Sequence, residues 1–368
     1  MEQPGQSKPV QRVLIYRLGS LGDTVVALPS LHLIERAFPA AERRLLTNFP
    51  VSSKAPAAAE IIGSSGLVHG YFRYPAKTRN PLVLLKLWAT ILRGRPQVLI
   101  YLAASRGIDS ARRDARFFRL CGISRQNTRQ IGVPLTEDMQ LNCFQPQHNA
   151  LEPECERLAR NVAQLGDARI DTAAAWDLRL TQAERDRAAQ VLAVAASHPI
   201  LAVSVGTKIQ AKDWGQENWQ SLLRVLGAAY SHYALALLGS PEEATASEFA
   251  AAGWRDSAGP AALVINLCGR LTPRESAAVL ERSRLFLGHD SGPMHLAAAV
   301  GTPCVAIFSA RKPPRLWFPH GPQHRVLFHE VSCMGCKLES CIIERKRCLT
   351  TITVEEVAAQ VHAALARI

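Results

Sequence analysis

Asp23 ends the stretch YRLGSLGD, in which Gly19 and Gly22 let the backbone turn tightly between an apolar strand and a helix. A carboxylate at that point either caps the helix or takes a proton from a hydroxyl group presented to it. A second stretch, GHDSGPMHLAAAVGTP, sets Asp290, Ser291 and Gly292 at the start of a short helix that also carries Met294 and His295. Free backbone N–H groups at a helix start bind phosphate. Ser291 and His295 are four apart and share a face, so His295 either donates to a diphosphate or is a satisfied core histidine. A third, VSVGTKIQAKDWG, places Thr207, Lys208 and Lys212 just after a strand. Hydroxyl and ammonium groups there neutralise a departing pyrophosphate, or else the lysines are simply solvated. In GSPEE, Glu242 follows another strand and can accept from ribose hydroxyls, although glutamate is ordinary in a first helical turn.

Four of the nine cysteines, Cys333, Cys336, Cys341 and Cys348, have two, four and six residues between them. Such a set can hold a structural zinc ion or an iron–sulfur cluster. The same spacing also suits reduced thiols, or bridges formed on oxidation.

Apolar strands alternate with helical stretches along most of the chain, which predicts parallel sheets covered by helices. In the first half, strands are expected at 12–16, 43–47, 67–72 and 97–102. Helices are expected at 24–37 (kinked by Pro29), 81–93, 109–120 and 153–165. Residues 128–152 read as a long loop. In the second half, strands are expected at 199–206, 233–240, 263–269, 284–288 and 305–308, with helices at 216–230, 241–252 and 272–282. Two such runs predict an α/β protein of two doubly wound Rossmann-like domains, 1–175 and 176–350, followed by a C-terminal helix in 351–368. Ligands of such sheets bind at the carboxyl ends of strands, here in a cleft between the domains.

The 368 residues suffice for two cores, with 48% hydrophobic and 20% charged side chains. No apolar run reaches the roughly 18 residues of a spanning helix. The N-terminus lacks an apolar signal core, so a cytoplasmic protein is expected. Residues 1–180 hold 24 basic and 15 acidic residues, a net +9 of the total +12. That excess favours a polyanionic partner or an anionic membrane surface. Nucleic acid is not expected, because aromatic and basic residues are not interleaved.

Together these motifs resemble glycosyltransferase family 9, the heptosyltransferases of lipopolysaccharide assembly. RLGSLGDTVVALPSL resembles the family's N-terminal motif and GHDSGPMHLAAAVGTP its donor signature. KDWGQENWQSLL resembles a segment that usually has proline where Gly215 stands. The resemblance implies a GT-B fold, with the donor bound mainly by the second domain. It implies Asp23 as general base, Lys212 beside the donor phosphates and Glu242 near the ribose. It further implies Asp290, Ser291, Gly292, Met294 and His295 around the diphosphate and sugar. It implies heptose transfer from ADP-heptose to the anionic lipopolysaccharide core, with inversion, no required cofactor or catalytic metal, and peripheral contact with the cytoplasmic face of the inner membrane. It also implies that the final helix, 353–366, packs on the N-terminal domain. Alternatives are a family member using another nucleotide sugar, a sugar-nucleotide epimerase and a nucleic-acid-binding protein.

Overall fold

The computed structural model of the chain describes residues 9–49, 56–75, 78–103, 106–132, 141–260 and 262–367. The chain divides into two compact units, Met1–Cys143 with Glu154–Ala175, and Phe144–Pro153 with Trp176–Ile368. It therefore passes from one unit to the other three times, at 143, 153 and 175, where the sequence suggests a crossing near 175 and a return only by the final helix.

The first unit contains β1 (Arg12–Tyr16), α1 (Leu21–Val25), α2 (Leu28–Ala37), β2 (Glu42–Asn48), α3 (Ala58–Ile62), β3 (Gly70–Tyr74), α4 (Pro81–Gly94), β4 (Val98–Tyr101), α5 (Ile108–Leu120) and β5 (Arg129–Ile131). Its five strands are parallel in the order β3-β2-β1-β4-β5. Central β1 and β4 are apolar runs because helices cover both of their faces, and Val13–Tyr16 and Val98–Tyr101 are buried throughout. The kinked helix expected over 24–37 is two helices. Pro29 lies in the first turn of α2, where its missing N–H costs nothing.

The expected loop at 128–152 is only partly irregular. It holds β5 and an antiparallel hairpin, β6 (Phe144–Gln145) with β7 (Ala150–Leu151), the latter assigned to the second unit. Residues 133–140 of that loop, Pro134 among them, lie outside the described residues. Then α6 (Glu154–Asn161) returns the chain to the first unit.

The second unit continues with α7 (Gln182–Val191), β8 (Ile200–Ser204), α8 (Gln216–Ala229), β9 (Ala234–Leu237), α9 (Ala244–Ala258), β10 (Val264–Asn266), α10 (Pro273–Glu281), β11 (Leu285–His289), α11 (Gly292–Ala299), β12 (Cys304–Phe308), β13 (Arg325–Phe328), α12 (Arg347–Thr350) and α13 (Val354–Leu365). Its six strands are also parallel, in the order β10-β9-β8-β11-β12-β13. Trp214, Trp219 and Trp254 are almost wholly buried in its core; each removes roughly 150–250 Å² from water.

The sequence expectation for the last helix is corrected. Val357, Ala358, Val361 and Ala364 of α13 join the core of the second unit, against α8, β12 and β13. The packing follows from the helix's apolar stripe, and Tyr230 Oη lies 2.7 Å from His362 Nδ1.

Candidate functional site

In each sheet the strand order reverses once, between β1 and β4 and between β8 and β11. Ligands of doubly wound sheets gather at that switch point, beyond the carboxyl ends of the strands. The loops that carry the sequence motifs leave from these strands: Asp23 follows β1, the two lysines follow β8, and Asp290 and Ser291 follow β11.

In the first unit, Ser20 is the N-cap of α1 and Asp23 is its third helical residue. The Ser20 N–H donates to Asp23 Oδ2 at 2.8 Å and the Ser20 hydroxyl at 3.2 Å. The carboxylate is thus half of a capping box, and among the described residues Oδ1 makes a long ion pair with Arg17 Nη2, 3.9 Å away, and no hydrogen bond. With its side chain 25% exposed, Asp23 has one oxygen held and one open. Gly19 is required here: its φ is +130°, and a Cβ would lie 2.3 Å from Asp23 Cβ.

Arg17 is the residue that sequence reasoning misses. Its buried guanidinium donates through Nε at 3.0 Å, and also through Nη2, to the Asp23 backbone carbonyl. Nη1 reaches the Leu102 carbonyl at 2.7 Å and lies 3.7 Å from Glu154 Oε1. Glu154 in turn accepts two bonds from Arg157, both at 2.8 Å, and Arg157 donates to the Ala103 carbonyl. Burial pushes the Glu154 pKa up, but the Arg157 hydrogen bonds and the charges of Arg157 and Arg17 outweigh it and hold the carboxyl low. The loop bearing Asp23 is therefore anchored by a buried Arg–Glu–Arg network that reaches α6. At the same strand edge, Arg106 Nη2 lies 2.5 Å from Asp114 Oδ2 and its guanidinium lies over Tyr16, so a partly exposed cation stands near the switch point.

In the second unit, Lys212 Nζ sits 2.5 Å from Asp290 Oδ2 and donates to the Asp290 carbonyl at 3.1 Å. This pair ties the loop after β8 to the loop after β11. Ser291 is the N-cap of α11, yet its Oγ makes no capping bond and is buried without a hydrogen-bond partner among the described residues. A buried hydroxyl without a partner costs about 1–3 kcal/mol, so a ligand that supplies an acceptor there recovers it. Gly292 opens the helix beside it. Met294 is wholly buried, so only its backbone N–H is left to a ligand. The ring of His295 is 6.1 Å from that of Trp317, edge to face. Thr207 Oγ1 accepts from Ile209 N at 3.4 Å.

Of the two adjacent glutamates, Glu242 is exposed. Glu243 caps Ser240 N at 2.7 Å and fills the space where a Gly206 Cβ would stand. Burial lowers the Lys208 pKa, opposed by the nearby Glu243 carboxylate. Gly215, at the position where the resemblance leads one to expect proline, has φ +106° as N-cap of α8, a value closed to proline.

His289 ends β11, fully buried, and its Nε2 accepts from the Trp214 N–H at 3.0 Å. Burial lowers its pKa to about 4. In His324, Nδ1 accepts from Cys304 N and Nε2 faces the His320 carbonyl. The neutral ring is satisfied at both nitrogens, and burial lowers its pKa to about 4 as well. Both rings bind fewer protons folded than unfolded between pH 4 and 6.5, so their contribution is complete above about 6.5 and is lost as pH falls through that window. Moving from pH 7 to pH 5, where few carboxylates titrate, should cost on the order of 2 kcal/mol per histidine. Urea unfolding at both pH values checks this, and equal midpoints would refute it.

The four clustered cysteines are unbridged. Burial raises the Cys348 pKa, with smaller contributions from Cys333, Cys341 and Cys336 nearby. No three His, Cys, Asp or Glu side chains among the described residues are grouped to hold a metal. The structural-metal expectation for this cluster therefore finds no support. No helix among the described residues is long and apolar enough to cross a membrane.

Known proteins resemble this chain in sequence and fold. The lipooligosaccharide heptosyltransferase 2 of Campylobacter jejuni is 32% identical over 98 residues, 26% of this chain and 30% of that protein. The chain thus spans about a third of the length of that curated relative. A glycosyl transferase family 9 structure from Veillonella parvula superposes with a TM-score of 0.71 at 15% identity, covering 99% of this chain and 100% of that one. The ADP-heptose lipopolysaccharide heptosyltransferase II of Escherichia coli superposes with a TM-score of 0.66 at 18% identity, covering 97% and 99%. The two doubly wound units are those of the GT-B fold. The sequence pattern of glycosyltransferase family 9 (heptosyltransferase) matches residues 140–346, more than half of the chain, and includes the stretches at 203–215, 239–243 and 288–303. The chain belongs to glycosyltransferase family 9.

Proposed function

We propose that this protein transfers heptose from ADP-heptose to a hydroxyl of a lipopolysaccharide inner-core acceptor, inverting the anomeric centre. The observation that carries the reading is the β8–β11 switch point. There a buried serine hydroxyl without a partner, a helix start and a bridging lysine converge, as binding of a diphosphate requires. Asp23 takes the proton of the acceptor hydroxyl. The freed oxygen attacks the anomeric carbon, and the bond from that carbon to the diphosphate oxygen breaks with its electron pair leaving on ADP. Lys212, Lys208 and the α11 N–H groups neutralise the charge that develops there. Thr207, Ser291 and His295 orient the diphosphate and sugar, and Glu242 takes the ribose.

The acceptor is read as anionic because of the net +9 of residues 1–180 and the cation of Arg106. Such an acceptor is carried on a lipid, so the protein works in contact with the cytoplasmic face of the inner membrane. A family member using another nucleotide sugar is the second reading, since diphosphate motifs do not read the base. A thermal-shift screen against ADP, UDP, GDP, CDP and their sugar conjugates separates the two. At about 100 times its dissociation constant the true ligand stabilises by about 2.7 kcal/mol. Selective stabilisation by ADP and ADP-heptose is expected; stabilisation by another nucleotide alone would overturn the heptose assignment.

A further inference from the structure

The first unit leaves an apolar stripe facing solvent. Along α4, Leu82, Leu85 and Leu92 share the outward face and are 73%, 58% and 40% exposed. Leu87 and Ile91, on the opposite face, fill the core with Phe118 and Cys121. The stripe continues onto α5, where Leu120 is 73% exposed. The two helices are fastened there: Trp88 Nε1 donates to the Leu120 carbonyl at 2.7 Å, and Leu92 lies against Gly122. Scattered exposed leucines need no explanation, but four on two joined helices form one patch.

The border of the patch is cationic. Lys86 and Arg93 flank the leucines on α4, and Arg116 and Arg119 lie on the last two turns of α5, all exposed. α4 contains no acidic residue. On α5, Asp109 lies near Arg112, while Asp114 is buried with Arg106 and Arg113. An apolar face rimmed by Lys and Arg is the pattern of a helix lying in a membrane interface. A second copy of this chain fits poorly, because two-fold pairing would set the four cations of one copy against those of the other. The start of α4 follows β3, at the same carboxyl edge of the parallel sheet as the loop bearing Asp23. A bilayer touching Leu82 would therefore lie at the edge to which the acceptor is assigned.

We infer that the outer face of α4, with the end of α5, is the surface by which this protein docks on an anionic phospholipid bilayer. The inference rests on the proposed use of a lipid-borne acceptor and gives that contact its residues. The leucines enter the acyl boundary, and the lysine and arginines meet the phosphates.

Co-sedimentation of the full chain with vesicles tests it, using phosphatidylglycerol in phosphatidylethanolamine, against phosphatidylcholine alone. Binding to the anionic vesicles only, weakened by salt, is expected. Each cation removed should lower partitioning about fivefold, so Arg93→Gln with Arg119→Gln should lose about 25-fold. Leu82→Ser with Leu85→Ser should lose at least about tenfold with the unfolding midpoint unchanged, since both side chains are exposed. No vesicle binding, or binding that both double variants retain, would overturn the inference. So would self-association, seen by sedimentation, that the leucine variant abolishes while the wild type ignores vesicles. The assay needs neither nucleotide nor sugar, so its failure leaves the donor reading standing, and a failed nucleotide screen leaves this surface standing.

Discussion

Asp23→Asn is expected to lower turnover about 10²–10⁴-fold while ADP still stabilises the protein as it does the wild type. The asparagine variant isolates the base. Its amide oxygen can still accept from the Ser20 N–H that now bonds Oδ2, so the capping box survives and only the proton acceptor is lost. Asp23→Ala should be as slow, and should also lose about 1 kcal/mol of stability with the cap. Steady-state rates with donor and acceptor, beside unfolding midpoints, separate the two effects. An asparagine variant with wild-type turnover would leave Asp23 as a cap alone.

Lys212→Met should lower turnover by about 10²–10³, the usual loss for one group aimed at developing charge. It should also weaken ADP binding, because it leaves the Asp290 carboxylate unpaired where the diphosphate is assigned. Lys212→Met with Asp290→Asn removes that misplaced charge. The double variant should regain ADP binding and not turnover. Restored turnover would show that Lys212 only balances Asp290 and does not touch the leaving group.

Much of this was legible in the residues. Strands such as VLIY at 98–101 are apolar throughout because they are central, and the glycine-rich turns after β1 and β11 announce their strand–helix junctions. What escaped depended on tertiary placement. α7, QAERDRAAQV, has too few apolar residues to show a stripe, and buries only Ala188. β13 is four residues long, in a stretch rich in proline, glycine and histidine. The C-terminal helix shows which face is apolar but not which core receives it. In the site, Asp23 and the lysines stood out by motif. Arg17 did not, because an arginine after a strand signals nothing until its burial and its bonds to the Asp23 carbonyl are seen. Nor does the sequence say which of the two adjacent glutamates packs beside Gly206; the structure turns Glu243 there.

The triple crossing of the chain bears on how this protein can be recombined with its relatives. A chimera joined after residue 143 would take α6 from a different parent than β1, and would seal Arg17 in the interior apart from the Glu154 it pairs with and the Arg157 that holds Glu154. Stranding one member of a buried ionic set costs about 3–5 kcal/mol, a large part of a domain's margin. Exchange of the second unit therefore has to carry three junctions at once, which keeps α6 with the β1 it serves.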